Sequence, residues 1–151
     1  MKATIICIGN RFVPADAAGP AVYDRLLELA LPAEDIDIVD GGLQGLNLLP
    51  LLERGGRVVF VDAVSGFADT DSDRIVLLSD AEIAAQPEDR QGFDHGAGIG
   101  YLLAVLPQVC DGEMPREIAL VGIEGTYDAQ LIDRAARLSI EVAHHGLRGS
   151  R

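Results

Sequence analysis

Tryptophan is absent from the sequence, and four Phe and three Tyr are its only aromatic residues. A core built from it must rest on Leu, Ile, Val and Ala. Cysteine is almost absent too. Cys7 and Cys110 are the only two, too far apart to make a zinc motif, and they read as inert thiols in a reducing compartment. Basic residues are scarce, 12 Lys and Arg against 24 Asp and Glu, which gives a formal net charge of −12. Without a basic stripe to displace counterions, nucleic acid is not an expected partner. No apolar run approaches the roughly 18–20 residues of a membrane span, so membrane insertion is not expected either. The opening "MKATIICIGN" has one Lys and strand-like alternation instead of a signal peptide's apolar stretch, and the expected location is cytoplasmic.

What is present is an alternation of short apolar runs and helical stretches. Ala3–Ile8 reads as a strand and Ala18–Ala30 as a helix, with Val22, Leu26, Leu27 and Ala30 on one face. Ile36–Val39 reads as a second strand stopped by Asp40-Gly41-Gly42. Leu43–Glu53 is helical, but Pro50 requires a kink or a start near Asn47. "RVVFV", Arg57–Val61, has the unbroken apolarity of a strand covered on both faces and ends at Asp62. Arg74–Leu78 follows without an intervening helix, which suggests an antiparallel strand at or near an edge. Ile99–Val109 reads as a helix, Glu117–Gly122 as a strand and Asp128–His145 as the last helix. The expectation is one α/β domain over residues 1–151, a three-layer sandwich with a mostly parallel sheet of about five strands and helices on both faces.

In such sheets ligands bind beyond the carboxyl ends of the strands. The strand exits here lead into Gly9-Asn10 and on to Asp16, into Asp40-Gly41-Gly42, into Asp62, and into Ile123-Glu124-Gly125. A parallel sheet gathers these on one rim. Asp62, at the end of a buried run, is costly unless it is paired, hydrogen-bonded or bound to a cation, and it equally suits capping the next turn. Asp16 fits either the N-cap of the first helix or a free carboxylate before a helix that Gly19-Pro20 opens. His95, in "FDHGAGIGYLL", precedes a helix and is interleaved with glycines that permit close backbone approach. It equally fits a plain loop imidazole beside an N-cap Asp94. Two carboxylates and one imidazole form a mixed oxygen and nitrogen set for Zn²⁺ or Ni²⁺ with coordination positions left open. A dinucleotide fingerprint fails, because Arg11 and Pro14 stand where G-x-G-x-x-G counted from Gly9 needs glycines. His144 and His145 suit the end of the last helix.

Several stretches in order, "IGNRFVPADAAGP", "DIVDGGLQGLNLLPLLE", "VVFVDAV", "DHGAGIGYLLAVL" and "IALVGIEG", together resemble the hydrogenase maturation endopeptidases. The resemblance implies an enzyme that trims a short C-terminal peptide from the large-subunit precursor of a nickel–iron hydrogenase after nickel insertion. It implies that Asp16, Asp62 and His95 are the metal-contacting and catalytic residues, and that Asp40, Gly41 and Gly42 recognise substrate. Nickel is expected to arrive on the substrate, since no thiolate accompanies the three ligands, and zinc or another divalent ion could take the site in vitro. The competing reading is a noncatalytic metal-binding or docking chaperone for hydrogenase assembly that uses the same three residues.

Overall fold

Six consecutive buried residues, Ala3–Ile8, form β1, an inner strand of a five-stranded sheet. The computed structural model describes residues 2–32, 34–42, 46–66, 74–85 and 98–150. After β1 come α1 (Ala18–Glu28), β2 (Ile36–Gly42), α2 (Leu49–Leu52), β3 (Arg57–Val64) and β4 (Ile75–Ser79). Then follow α3 (Asp80–Ala84), α4 (Gly98–Val109), β5 (Glu117–Glu124) and α5 (Ala129–Ser150). The strand order is β2-β1-β3-β5-β4. The first four are mutually parallel, and β4 is an antiparallel edge strand paired to β5.

Alternation along the strands divides the core between the two faces. Ile5, Cys7, Val59, Val61, Val121 and Ile123 pack under α1 and α5. Ile6, Ile8, Phe60, Val64, Leu120 and the α4 residues Ile99, Leu102 and Leu106 pack on the other side. Helices on both faces bury the middles of the central strands, which is why Val58–Val61 of β3 and Ile118–Ile123 of β5 are apolar without interruption.

Several elements extend beyond their expected ends. Asp40, Gly41 and Gly42 do not stop β2; they are its last residues. The pairing jumps from Cys7↔Asp40 to Ile8↔Gly42, leaving Gly41 as the extra residue of a β-bulge. β3 continues two residues past Asp62 to Val64, because Asp62, Ala63 and Val64 all stay paired to β5. Pro50 falls in the first turn of α2, after a 3-10 turn at Leu46–Leu48, so the proline starts this short helix and does not kink it. α3 was not expected as a helix. In α5, Gly146 (φ 78°, ψ 177°) breaks the helical path directly after His145.

Candidate functional site

The sheet has a switch point between β1 and β3. The chain leaves β1 toward β2 on one side, and after β3 it proceeds to β4 and β5 on the other. A crevice beyond the carboxyl ends of such a strand pair is where open α/β sheets bind ligands. Both described acids of the expected set lie there.

Asp62 is one step past the last β1–β3 pair, Cys7↔Val61, and opposite Gly122 of β5. Phe60 and Val64 face the α4 side of the sheet, so the Asp62 side chain between them faces that side too. It is 0% exposed and is the only fully buried acid among the described residues. Its Oδ1 accepts the Ala63 N–H at 2.8 Å. The other buried polar side chains have plain structural roles: Thr4 accepts from Arg54, and Ser139 donates to the Ala135 carbonyl. Burying a carboxylate is expensive, and rims where chains accept that cost are where proton and cation chemistry concentrates.

Asp16 is not a helix cap. α1 starts at Ala18 behind Ala17, with no side-chain cap hydrogen bond. Asp16 instead ends a 3-10 turn, Pro14–Asp16, that lies against β3. The Asn10 N–H donates both to the Asp16 carbonyl oxygen (3.1 Å) and to its Oδ2 (3.0 Å). The β1–α1 loop thus folds back on itself, with Asp16 half-buried over the end of the strand next to Asp62's own.

Asp40 is exposed, and its Oδ1 accepts the Gly42 N–H at 3.3 Å. The Gly42 carbonyl in turn accepts the Gly9 N–H at 3.1 Å, joining the ends of β2 and β1. Of the two glycines only Gly42 has a positive φ, +57°, and a Cβ there would meet none of the described residues within 4 Å. A Cβ on Gly41 would press on Ile6 at 2.8 Å, so Gly41 serves packing within the bulge.

His95 lies outside the described residues. The structure does place the start of α4, at Gly98, three positions later in sequence. The Glu113 N–H donates to Glu53 O and the Arg116 N–H to Gly56 O, which ties the chain after α4 to the amino edge of the sheet. A 12-residue helix is about 18 Å long, so α4 opens at the carboxyl rim, on the face toward which Asp62 points. Among the described residues no three His, Cys, Asp or Glu side chains are placed to hold a metal ion. The two rim carboxylates supply oxygen donors only, a set that an imidazole would extend toward a borderline divalent ion.

Three neighbours of the site were not singled out from sequence as partners of these acids: Asn10, Arg11 and Phe12. Asn10 binds Asp16 through its N–H and accepts the Phe12 N–H at its own Oδ1 (3.0 Å), an Asx turn of the kind Asn favours. Arg11 pairs with Asp24 of α1 at 3.1 Å and lies 3.8 Å from Asp40 of β2. Cys7 takes no part. Burial, then the charges of Asp40 and Asp24, push its thiol far above its ordinary value, which keeps it protonated and inert.

No helix among the described residues is long and apolar enough to cross a membrane. A profile described as hydrogenase maturation protease matches residues 20–144. The hydrogenase 2 maturation protease of Escherichia coli is 24% identical over 123 residues, covering 82% of this chain and 73% of that protein. The hydrogenase expression/formation protein HupD of Rhodobacter capsulatus is 29% identical over 125 residues, covering 82% and 57%. The solved hydrogenase maturating endopeptidase HybD of E. coli superimposes with a TM-score of 0.69 at 21% identity, over 98% of this chain and 93% of that one, a likeness of fold. With the family profile spanning most of its length, this chain belongs to the hydrogenase maturation proteases, and it is a peptidase.

Proposed function

We propose that this peptidase removes a short C-terminal extension from the nickel-loaded precursor of a nickel–iron hydrogenase large subunit, and that nickel held by the substrate is what it recognises. The observation that carries the reading is the switch-point rim, where a fully buried Asp62 stands on β3 and the turn bearing Asp16 lies against that strand. In this reading Asp16 and Asp62 offer oxygens, and His95 an imidazole nitrogen, to an ion whose remaining ligands belong to the substrate. Such a set suits Ni²⁺ and also accepts Zn²⁺ in vitro. The ion then anchors the precursor so that its scissile bond lies along the rim. A rim carboxylate takes the proton of the attacking water and returns it to the leaving amine. Asp40, Gly41 and Gly42 guide the substrate backbone past the end of β2, where glycine lets another backbone approach closely.

The test is matched precursor with and without nickel, incubated with the purified chain and weighed by mass spectrometry. Loss of the extension from the loaded form alone is expected, with little nickel on the purified enzyme. Asp16→Asn, Asp62→Asn and His95→Ala should each weaken that processing. Equal cleavage of both precursors would defeat nickel recognition and leave the peptidase standing. Binding without a mass change would make the chain a docking module.

A further inference from the structure

Phe12 is 87% exposed, the most exposed of the large apolar side chains described, and Val13 beside it is 44% exposed. Single exposed apolar residues elsewhere, such as Leu27 and Met114, are ordinary on any surface. This pair is different in its placement and its rigidity. It forms the tip of the β1–α1 loop, four and three residues before Asp16. The Phe12 N–H is held by Asn10 Oδ1 (3.0 Å), and the Val13 N–H by Asn10 O (3.1 Å). The same Asn10 donates its own N–H to the Asp16 carboxylate. One residue therefore fixes both the aromatic tip and the rim acid. A loop backbone held in advance loses little freedom on binding, so an aromatic side chain presented on it is placed to anchor a protein interface.

We infer that Phe12, with Val13, is the docking residue of this loop: it inserts into an apolar depression, bordered by basic groups, on the folded body of the precursor. The basic border follows from what surrounds the tip. Asp16 ends the 3-10 turn of the same loop, Arg11 next to Phe12 is engaged by Asp24 and approaches Asp40, and the chain as a whole carries −12. Like charge on the partner would be repelled from this rim, whereas basic groups are steered to it. Because Asn10 links the tip to Asp16, docking sets the distance between the precursor's body and the rim. The inference rests on the precursor being the substrate.

The experiment is steady-state cleavage of nickel-loaded precursor by the unaltered chain, Phe12→Ala, Phe12→Leu and, as reference, Asp62→Asn. Phe12→Ala should raise KM about tenfold or more with kcat nearly unchanged, as loss of a buried aromatic anchor does. Phe12→Leu should recover most of the loss, and Asp62→Asn should lose kcat instead. Because the ring is exposed, both Phe12 variants should melt with the unaltered chain. Raising salt from roughly 50 to 300 mM should raise the KM of the unaltered chain, since surface charge pairs are screened over that range. An unchanged KM in Phe12→Ala, or a fall in kcat alone, would overturn the docking role. A KM indifferent to salt would overturn the basic border. Absence of any cleavage by the unaltered chain would remove the precursor as substrate and this inference with it.

Discussion

Replacing Gly19 with alanine should separate the first turn of α1 from β1 and destabilise the fold measurably. An alanine Cβ there would stand 2.0 Å from the Ile8 carbonyl oxygen, 2.9 Å from its carbon and 3.0 Å from its nitrogen. A carbon–oxygen contact needs about 3.3 Å, so something must move by more than an ångström. Ile8 cannot move readily, because β1 is paired on both sides, to β2 and to β3. The helix must yield, and Val22 and Leu26, both 0% exposed, lose part of their packing. Overpacking of this kind costs about 1–3 kcal/mol, and an immovable backbone neighbour places the cost at the upper end. Against it stands about 0.4–1 kcal/mol gained from the stiffer unfolded chain. The net is a loss of about 2 kcal/mol, which for a chain of this size lowers the melting temperature by roughly 4–8 °C. Thermal melting followed by far-UV circular dichroism reads it directly. A melting point equal to or above that of the unaltered chain would refute the packing argument.

Gly42→Leu requires a left-handed backbone of a side chain that disfavours it, at about 1–2 kcal/mol, yet its Cβ meets no described residue within 4 Å. It should fold and process precursor poorly, and clean folding with unchanged cleavage would reduce Gly42 to a turn residue. Arg57→Leu removes a bond to Glu117 (2.9 Å) and two bonds to the carbonyls of Ala143 and His144, just before the Gly146 break in α5. The expected loss is about 2–3 kcal/mol, and a urea midpoint that does not fall would contradict it. Asp37 is held below its ordinary pKa chiefly by Lys2, 2.9 Å away, and then by Arg54. A lowered folded pKa means that this stabilisation is full above about pH 4 and fades as pH drops through the folded value. Asp37→Asn should therefore flatten the acid limb of stability against pH, and parallel limbs would exclude the linkage.

The strand and helix sequence was legible because burial on both faces writes itself as unbroken apolar runs, and "RVVFV" is the clearest case. The antiparallel edge placement of β4 was legible from the missing crossover helix. Element ends were not. Asp40-Gly41-Gly42 looks like a strand terminator by composition, yet the bulge at Gly41 lets Gly42 pair with Ile8. α3 is five residues long, too short to show a helical period. Its signal was the capping box, in which the Ser79 hydroxyl accepts the Glu82 N–H and the Glu82 carboxylate accepts the Ser79 N–H. At the rim, sequence could nominate Asp16 and Asp62 but could not say whether Asp16 caps α1 or stands ahead of it. That choice depended on where α1 starts, which the fit of Gly19 against Ile8 decides.

The position of β3 in the sheet also bears on when this rim comes into being. β3 lies between β1, the first strand made, and β5, the last. A chain emerging from the ribosome can pair β1 with β3 early, but one long edge of β3 stays bare until Glu117–Glu124 has followed. Gly122, the residue opposite Asp62, arrives in that late segment. Asp62 thus remains wetted through most of synthesis, and its burial waits for a contact between distant parts of the chain, the kind that forms slowly. A nascent chain, or one truncated ahead of β5, carries both rim acids without the enclosure around Asp62, so the finished rim is a property of the completed fold alone.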